Sequence, residues 1–245
     1  MTMRRKATGS AARRFGAALA VVFLAAIVLA APLAHSAPGN SDADVEQRVQ
    51  AILSKMTLDQ KLDMIGGYED FYVRAYPDLG VPALRMADGP LGVRNADPPS
   101  TLMAGGISLA ASWDPALAEQ EGIQIGRDAR ARGVHFMLGP AFNIYRAPMD
   151  GRNFEYMGED PYLAGKIAVG YIEGMQSQGV SSTAKHFVAN NSEFDRHNTD
   201  SIVDERTLRE IYLPAFEAAV KEAHVRAVMD SYNLTNGTHM TQNAT

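Results

Sequence analysis

The stretch Leu163–Phe187, LAGKIAVGYIEGMQSQGVSSTAKHF, decides the fold. Leu163 to Gln178 reads as a helix ended by Gly179, and Val180 to Phe187 as the strand that follows it. The same alternation extends in both directions. Upstream, Val81 to Met86 reads as a strand ending at Ala87-Asp88-Gly89-Pro90. Asp114 caps a helix with Pro115 at its first position, which runs to about Arg132 and stops at Gly133. Val134 to Leu138 is a strand entering Gly139-Pro140. Downstream, Asp204 to Ala223 is helical, with a kink or break at Pro214, and Val225 to Tyr232 is a further strand. Near the start, Val45, Val49, Ile52, Leu53 and Met56 lie at helical spacing behind Ser41 or Asp42 as cap. Thr57 restarts the helix with Gln60 three residues on, and Gly66-Gly67 ends it.

Strands alternating with helices at this spacing imply βαβ units and a parallel sheet. The polar and glycine-rich clusters fall just after the strands, where a (β/α) barrel assembles its active site. Four or five strands are visible where a closed barrel needs eight. The polar residues Thr235 to Thr245 are expected to form no closing element. The expected fold class is therefore α/β, a (β/α)8 TIM-like barrel that is incomplete, and the chain reads as truncated.

Met1 to Arg14 carries five basic residues and no acid, followed by an apolar run from Phe15 to Ala34 and by Ala34-His35-Ser36-Ala37-Pro38. That layout predicts a signal peptide over residues 1–36, cleaved after Ser36 with Ala34 at the −3 position, and an exported protein, periplasmic or extracellular. The competing reading is a retained membrane anchor. Without the five basic residues, 18 basic side chains face 28 acidic ones, a net charge near −10. Nucleic acid and anionic membrane are disfavoured as partners; oligomeric state is not legible. There are no cysteines, so disulfides, zinc–thiolate sites and cysteine nucleophiles are excluded. The six histidines show no His-x-x-x-His spacing, and no metal or other cofactor is expected. Four Asn-x-Ser/Thr triplets, at Asn190, Asn233, Asn236 and Asn243, are attributed to chance.

Five clusters carry candidate chemistry. In Asp88-Gly89-Pro90-Leu91-Gly92-Val93-Arg94 a carboxylate ends a strand, able to accept from two neighbouring hydroxyls or simply to close its own Asx-turn. Between Gly139 and Pro161, the density of Arg, Asn, Glu, Gly and Pro predicts a long loop held by buried polar contacts. Arg152 offers a rigid fork of donors there, whereas Arg146 and Glu155 read as members of a structural Arg–Glu pair. Lys185-His186-Phe187-Val188-Ala189-Asn190-Asn191 ends a strand with two cationic-capable side chains in tandem, and Arg196 follows. Asp204 to Pro214 is a charged helical face, best read as packing. In Met229-Asp230-Ser231-Tyr232-Asn233, Tyr232 is either a hydroxyl near a reacting centre or a buried aromatic.

Together these clusters resemble glycoside hydrolase family 3 over about Met56 to Asn236. The most specific pieces are Asp88-Gly89-Pro90-x-Gly92-Val93-Arg94, Gly151-Arg152-Asn153-Phe154-Glu155-Tyr156-x-x-Glu159-Asp160-Pro161, Lys185-His186-Phe187-x-x-Asn190-Asn191 and Glu205-Arg206-Thr207-Leu208-Arg209-Glu210-x-Tyr212-Leu213-Pro214. The resemblance implies a retaining hydrolase of β-linked glucosides whose N-terminal barrel, here residues 37–245, holds the terminal sugar. By position, Asp88, Arg152, Lys185, His186, Arg196 and Tyr232 match the family's sugar-binding residues, with the carboxylate accepting from hydroxyls and the Arg, Lys and His side chains donating. The nucleophile Asp and the acid/base Glu of the family are expected beyond Thr245. Asp230 and Glu155 do not sit in the nucleophile motif and are rejected. Val188-Ala189-Asn190-Asn191 stands where the N-acetylhexosaminidase branch has a Pro-Gly-His-Gly-type loop, which points to the glucosidase and xylosidase branch. The alternatives are a β-xylosidase, a sugar-binding relic without hydrolysis, and an unrelated barrel aldolase using Lys185 as a Schiff-base nucleophile.

Overall fold

In the computed structural model, residues 42–94 and 98–244 are described. The proposed signal segment and the alternative membrane anchor both lie outside them. Among the described residues no helix is long and apolar enough to cross a membrane. The chain divides into two compact units, Met1–Lys55 and Met56–Thr245. In the first, helix α1 spans Asp42–Leu53 with Asp42 and Asp44 in its first turn, where carboxylates complement the helix dipole.

The second unit begins with α2 (Leu58–Ile65), held by the expected capping box. Gln60 N–H donates to Thr57 Oγ1 at 3.1 Å, and Thr57 N–H donates to Gln60 Oε1 at 2.9 Å. Next come β1 (Tyr72–Val73), β2 (Leu84–Asp88), α3 (Gly106–Ala110), α4 (Pro115–Ala131), β3 (Phe136–Leu138), α5 (Pro161–Ser177) and β4 (Ser181–Phe187). The remainder is β5 (Asp200–Ser201), a helical segment α6 (Glu205–Thr207) running into a π turn at Leu208–Tyr212, α7 (Pro214–Lys221), β6 (Ala227–Asp230), β7 (Leu234–Thr235) and β8 (Thr238–His239). The main sheet has the order β1-β2-β3-β4-β6, with β1 antiparallel and the other neighbours parallel. This parallel, helix-backed sheet is part of an α/β barrel.

The differences from the sequence reading have local causes. The strand expected from Val81 begins at Leu84, because Val81 closes a tight turn on Tyr76 and Pro82 has no N–H to give a ladder. Strands β3 and β6 are shorter than expected, and Tyr232 lies beyond the end of β6. The helix expected over Asp204–Ala223 is broken at Pro214, as the sequence suggested. Leu213 N–H reaches back to Leu208 O at 2.9 Å, a widened turn ahead of a residue that cannot donate. The polar tail adds no strand to the main sheet, yet it is ordered into the β7–β8 hairpin. Its turn is Asn236-Gly237, both at positive φ (53° and 85°), the residue pair that a two-residue hairpin demands. β5 then pairs with β7 in a small second sheet.

Behind the main sheet α4 and α5 approach until their backbones touch. A Cβ on Gly174 would lie 2.0 Å from Glu119 O, one on Gly122 would lie 2.1 Å from Tyr171 O, and one on Gly170 would lie 2.3 Å from Pro115 O. Phe216 of α7 closes the core against Phe142 and Phe187, with ring centroids 4.6 and 5.1 Å apart. Since α4 and α5 are the crossovers that place β3 and β4, their contact fixes the spacing of the strands they feed. Gly174→Ala should therefore destabilise the chain by about 1–3 kcal/mol, the usual cost of overpacking, despite alanine's better helix propensity. Urea unfolding followed by circular dichroism checks this; an unchanged or raised midpoint contradicts it.

Candidate functional site

Parallel pairing aligns the carboxyl ends of the strands along one edge: Asp88 sits opposite Leu138, Lys185 opposite Met229 and Phe187 opposite Asp230. Over this edge lies a cavity of about 960 Å³, lined among others by Asp88, Arg152, Lys185, His186, Arg196 and Tyr232. All six residues singled out in the sequence thus meet in one concave space, of a size usual for small-molecule sites.

Asp88 ends β2 and fills both roles foreseen for it. Its Oδ1 accepts from Gly89 N–H at 2.9 Å, the local turn contact, and from Lys185 Nζ at 3.1 Å; Oδ2 faces Arg94 at 3.3 Å. The turn needs glycine at position 89, where φ is +124° and a Cβ would sit 2.0 Å from Gly92 O. Burial pulls the Asp88 carboxyl upward, but Lys185, then Arg94 and the Gly89 N–H, outweigh it and hold the group below its ordinary value. Lys185 is only 2% exposed. Its own burial draws the amine down, opposed by Asp88 and Glu155. The carboxylate at hydrogen-bond distance favours the ammonium form, so a neutral Schiff-base amine is not what this geometry favours.

His186 is equally buried. Its ring nitrogen Nδ1 lies 3.2 Å from Asn143 Oδ1 and its ring packs edge-on to Tyr156. Burial, then Arg152, Lys185 and Arg196, push its pKa down to about 2, so the imidazole is neutral.

Arg152 precedes a 3₁₀ turn at Asn153–Glu155 and makes a direct ion pair with buried Glu155. Burial alone would lower the guanidinium, but Glu155 and Glu193 hold it above its ordinary value. Glu155 is thus in a structural ion pair, but with Arg152 and not with Arg146, which lies over the Tyr212 ring at 5.8 Å. Arg196 is held by Glu193 at 2.9 Å and stacks on the Tyr232 ring at 4.5 Å. Tyr232 also meets the His197 ring at 4.6 Å and is 52% exposed, so it is a wall of the cavity rather than a core aromatic.

Glu193 was not legible as a site residue. It accepts from Asn190 Nδ2 at 3.0 Å and Arg196 at 2.9 Å, and lies 3.7 Å from Arg152, so one carboxylate orients two cations. The only signal was its place three residues before Arg196. Asn143 was seen as part of a motif but not as the partner of His186. Among the described residues no group of three or more His, Asp or Glu side chains is placed to hold a metal.

Comparison with known proteins gives a match of residues 49–245 to the model of the glycosyl hydrolase family 3 N terminal domain. A beta-glucosidase of Rhizobium radiobacter is 47% identical over 203 residues, covering 80% of this chain and 24% of that protein. Among solved structures, beta-glucosidase 3B from Thermotoga neapolitana in complex with glucose superimposes with a TM-score of 0.75 at 41% identity, covering 80% of this chain and 31% of the other. The beta-glucosidase from Kluyveromyces marxianus in complex with glucose does so with a TM-score of 0.78 at 39% identity, covering 80% and 24%. The chain spans about a quarter of the length of the curated relatives it matches.

Two residues before Arg152, Asp150 is 4% exposed and its Oδ1 has no hydrogen-bond partner among the described residues. Burial first, then Glu193, pushes its carboxyl up from 3.8 to about 6, with Arg152 opposing and Glu155 assisting. A carboxyl raised in the folded state favours folding when protonated. That contribution is full below pH 3.8 and is lost as pH rises through about 6. Asp150→Asn has nothing to ionise, so it should be more stable than the parent at pH near 8, by about 3 kcal/mol. The gain should shrink through pH 6 and vanish below pH 4 (about two units apart). Thermal melts across this range check the trend; a pH-independent difference contradicts it.

Proposed function

The chain belongs to glycosyl hydrolase family 3, and on that premise we propose that its cavity binds the terminal sugar of a β-glucoside. The observation that carries the proposal is the pairing of buried Lys185 with Asp88 at 3.1 Å, set in the same cavity as His186, Arg152 and Arg196. An ionised carboxylate accepts from neighbouring hydroxyls while ammonium and guanidinium groups donate to them, so vicinal hydroxyls of a pyranose find both kinds of partner. Fixing the ring in this way orients its anomeric carbon for attack. The relatives' description as beta-glucosidases supports glucose over xylose.

The wider reading is a retaining hydrolysis in the full-length enzyme, which needs two carboxyl groups about 5 Å apart, one a nucleophile and one an acid/base. Of the three carboxylates lining this cavity, Asp70 lies on the loop before β1, while Asp88 and Glu155 are each committed to a cation, Lys185 and Arg152. Neither is free to attack, and we assign the chemistry to residues beyond Thr245. Residues 1–36 are proposed as an export signal, and the protein as periplasmic or extracellular.

Two measurements test this. The chain alone should give no turnover of 4-nitrophenyl β-D-glucoside; clear hydrolysis would mean that a carboxylate within it performs the chemistry. Glucose should nevertheless bind, by titration calorimetry or ligand-observed NMR. Lys185→Met should weaken that binding at least tenfold, about 1.4 kcal/mol or more, by removing a charged donor and leaving Asp88 without its nearer cation. Binding unaffected by Lys185→Met would place the sugar elsewhere.

A further inference from the structure

The two ring nitrogens of His186 have different surroundings, and the difference fixes what the side chain offers to a ligand. Asn143 grips His186 three times. Its Nδ2 donates to the His186 carbonyl at 2.8 Å, its Oδ1 accepts from the His186 N–H at 2.8 Å, and the same Oδ1 lies 3.2 Å from Nδ1. The orientation of the amide is settled by the first two contacts. Turned over, it would set NH₂ against N–H and oxygen against oxygen at a site where Asn143 is 2% exposed. The atom facing Nδ1 is therefore an oxygen with lone pairs only, and Nδ1 carries the proton.

A neutral imidazole has a single N–H. Protonation of the second nitrogen is opposed by burial and by Arg152, Lys185 and Arg196. With its proton on Nδ1, the ring leaves Nε2 bare, and His186 lines the cavity. Among the described residues, Asn143 is the only hydrogen-bonding neighbour of the His186 side chain.

We propose that Asn143 is a positioning residue which locks His186 into the Nδ1–H tautomer, so that Nε2 accepts a hydrogen bond from whichever ligand hydroxyl faces it. This reverses the donor role expected for His186 from the sequence. Lys185, Arg152 and Arg196 can only donate, so Asp88 and Nε2 become the complementary acceptors of the cavity. A hydroxyl beside Nε2 accepts from a neighbouring cation and donates to the imidazole. A substituent that accepts but cannot donate, such as fluorine, meets a lone pair there and is refused. The ligand half of this inference rests on the glucoside reading above; the tautomer does not.

The test has two arms. In the chain labelled with ¹⁵N-histidine, long-range ¹H–¹⁵N correlation spectra should show a protonated, pyrrole-type Nδ1 and a pyridine-type Nε2 for His186, the signal being assigned by its loss in His186→Gln. Asn143→Asp keeps the accepting oxygen and should keep this pattern, whereas Asn143→Leu should release the proton to Nε2. A pyridine-type Nδ1 in the parent chain, or a pattern untouched by Asn143→Leu, overturns the proposal. Should Asn143→Leu not fold, the parent and Asn143→Asp spectra decide it. In the second arm, glucoses with one hydroxyl replaced by hydrogen or by fluorine are titrated into the chain. At one ring position both replacements should cost the same, at least tenfold in affinity. Fluorine outperforming hydrogen at every position overturns the acceptor role. If glucose itself does not bind, the carbohydrate assignment falls and takes the ligand half with it, while the imidazole spectrum still judges Asn143.

Discussion

A buried ammonium needs a carboxylate, and the rest of the site follows from where Lys185 finds one. Lys185 sits at the end of β4, 2% exposed, and its partner Asp88 stands at the end of β2 with β3 between them. Removing one member of such a pair leaves an uncompensated charge, a loss on the order of 3–5 kcal/mol when both are buried; here it is smaller, because the Asp88 side chain is 32% exposed. The 3.1 Å contact therefore depends on three strands in register and on the glycine turn that ties Asp88 Oδ1 to the Gly89 N–H. Strand pairing, turn geometry and charge pairing constrain one another.

The same accounting extends around the cavity. Four cations, Lys185, Arg94, Arg152 and Arg196, are answered by three carboxylates: Asp88 faces Lys185 and Arg94, Glu155 faces Arg152 and Glu193 faces Arg196. Glu193 also lies near Arg152, so Arg152 and Arg196 are held to a common carboxylate. His186 stands among these cations without a carboxylate of its own, which is why its imidazole stays neutral and why a neutral amide, Asn143, suffices as partner.

Much of this was legible in the sequence, for identifiable reasons. The caps Thr57 and Asp114, the stop at Gly179 and the break at Pro214 act over three or four residues, and each was found where local chemistry put it. Asp160-Pro161 carries the same cap signature as Asp114-Pro115, yet it was read as loop, so the start of α5 was placed two residues late. Asn236-Gly237 is a hairpin signal that was passed over because its flanking strands are only two residues long. The six polar residues could be named from motifs and do share one cavity. Their partners could not be named. Glu193 meets Arg152 across 41 residues and Asn143 meets His186 across 43, and such pairings are set by the fold, not by spacing along the chain.

On the proposed reading, the pairing of charges also explains why binding and chemistry would reside in different parts of a longer molecule. A group that holds hydroxyls must be fixed and charged, and in a dry cavity each such cation requires its own anion. Three carboxylates are used in that way: Asp88 by Lys185, Glu155 by Arg152 and Glu193 by Arg196. A nucleophilic carboxylate has the opposite requirement. It must keep a lone pair free for carbon, and it is best placed across the sugar from the cations that would otherwise bind it. Where strand ends carry matched pairs, as those of β2 and β4 do, a carboxylate held by its cation cannot also attack carbon, so on this reading the reactive carboxylates come from elements other than β2 and β4.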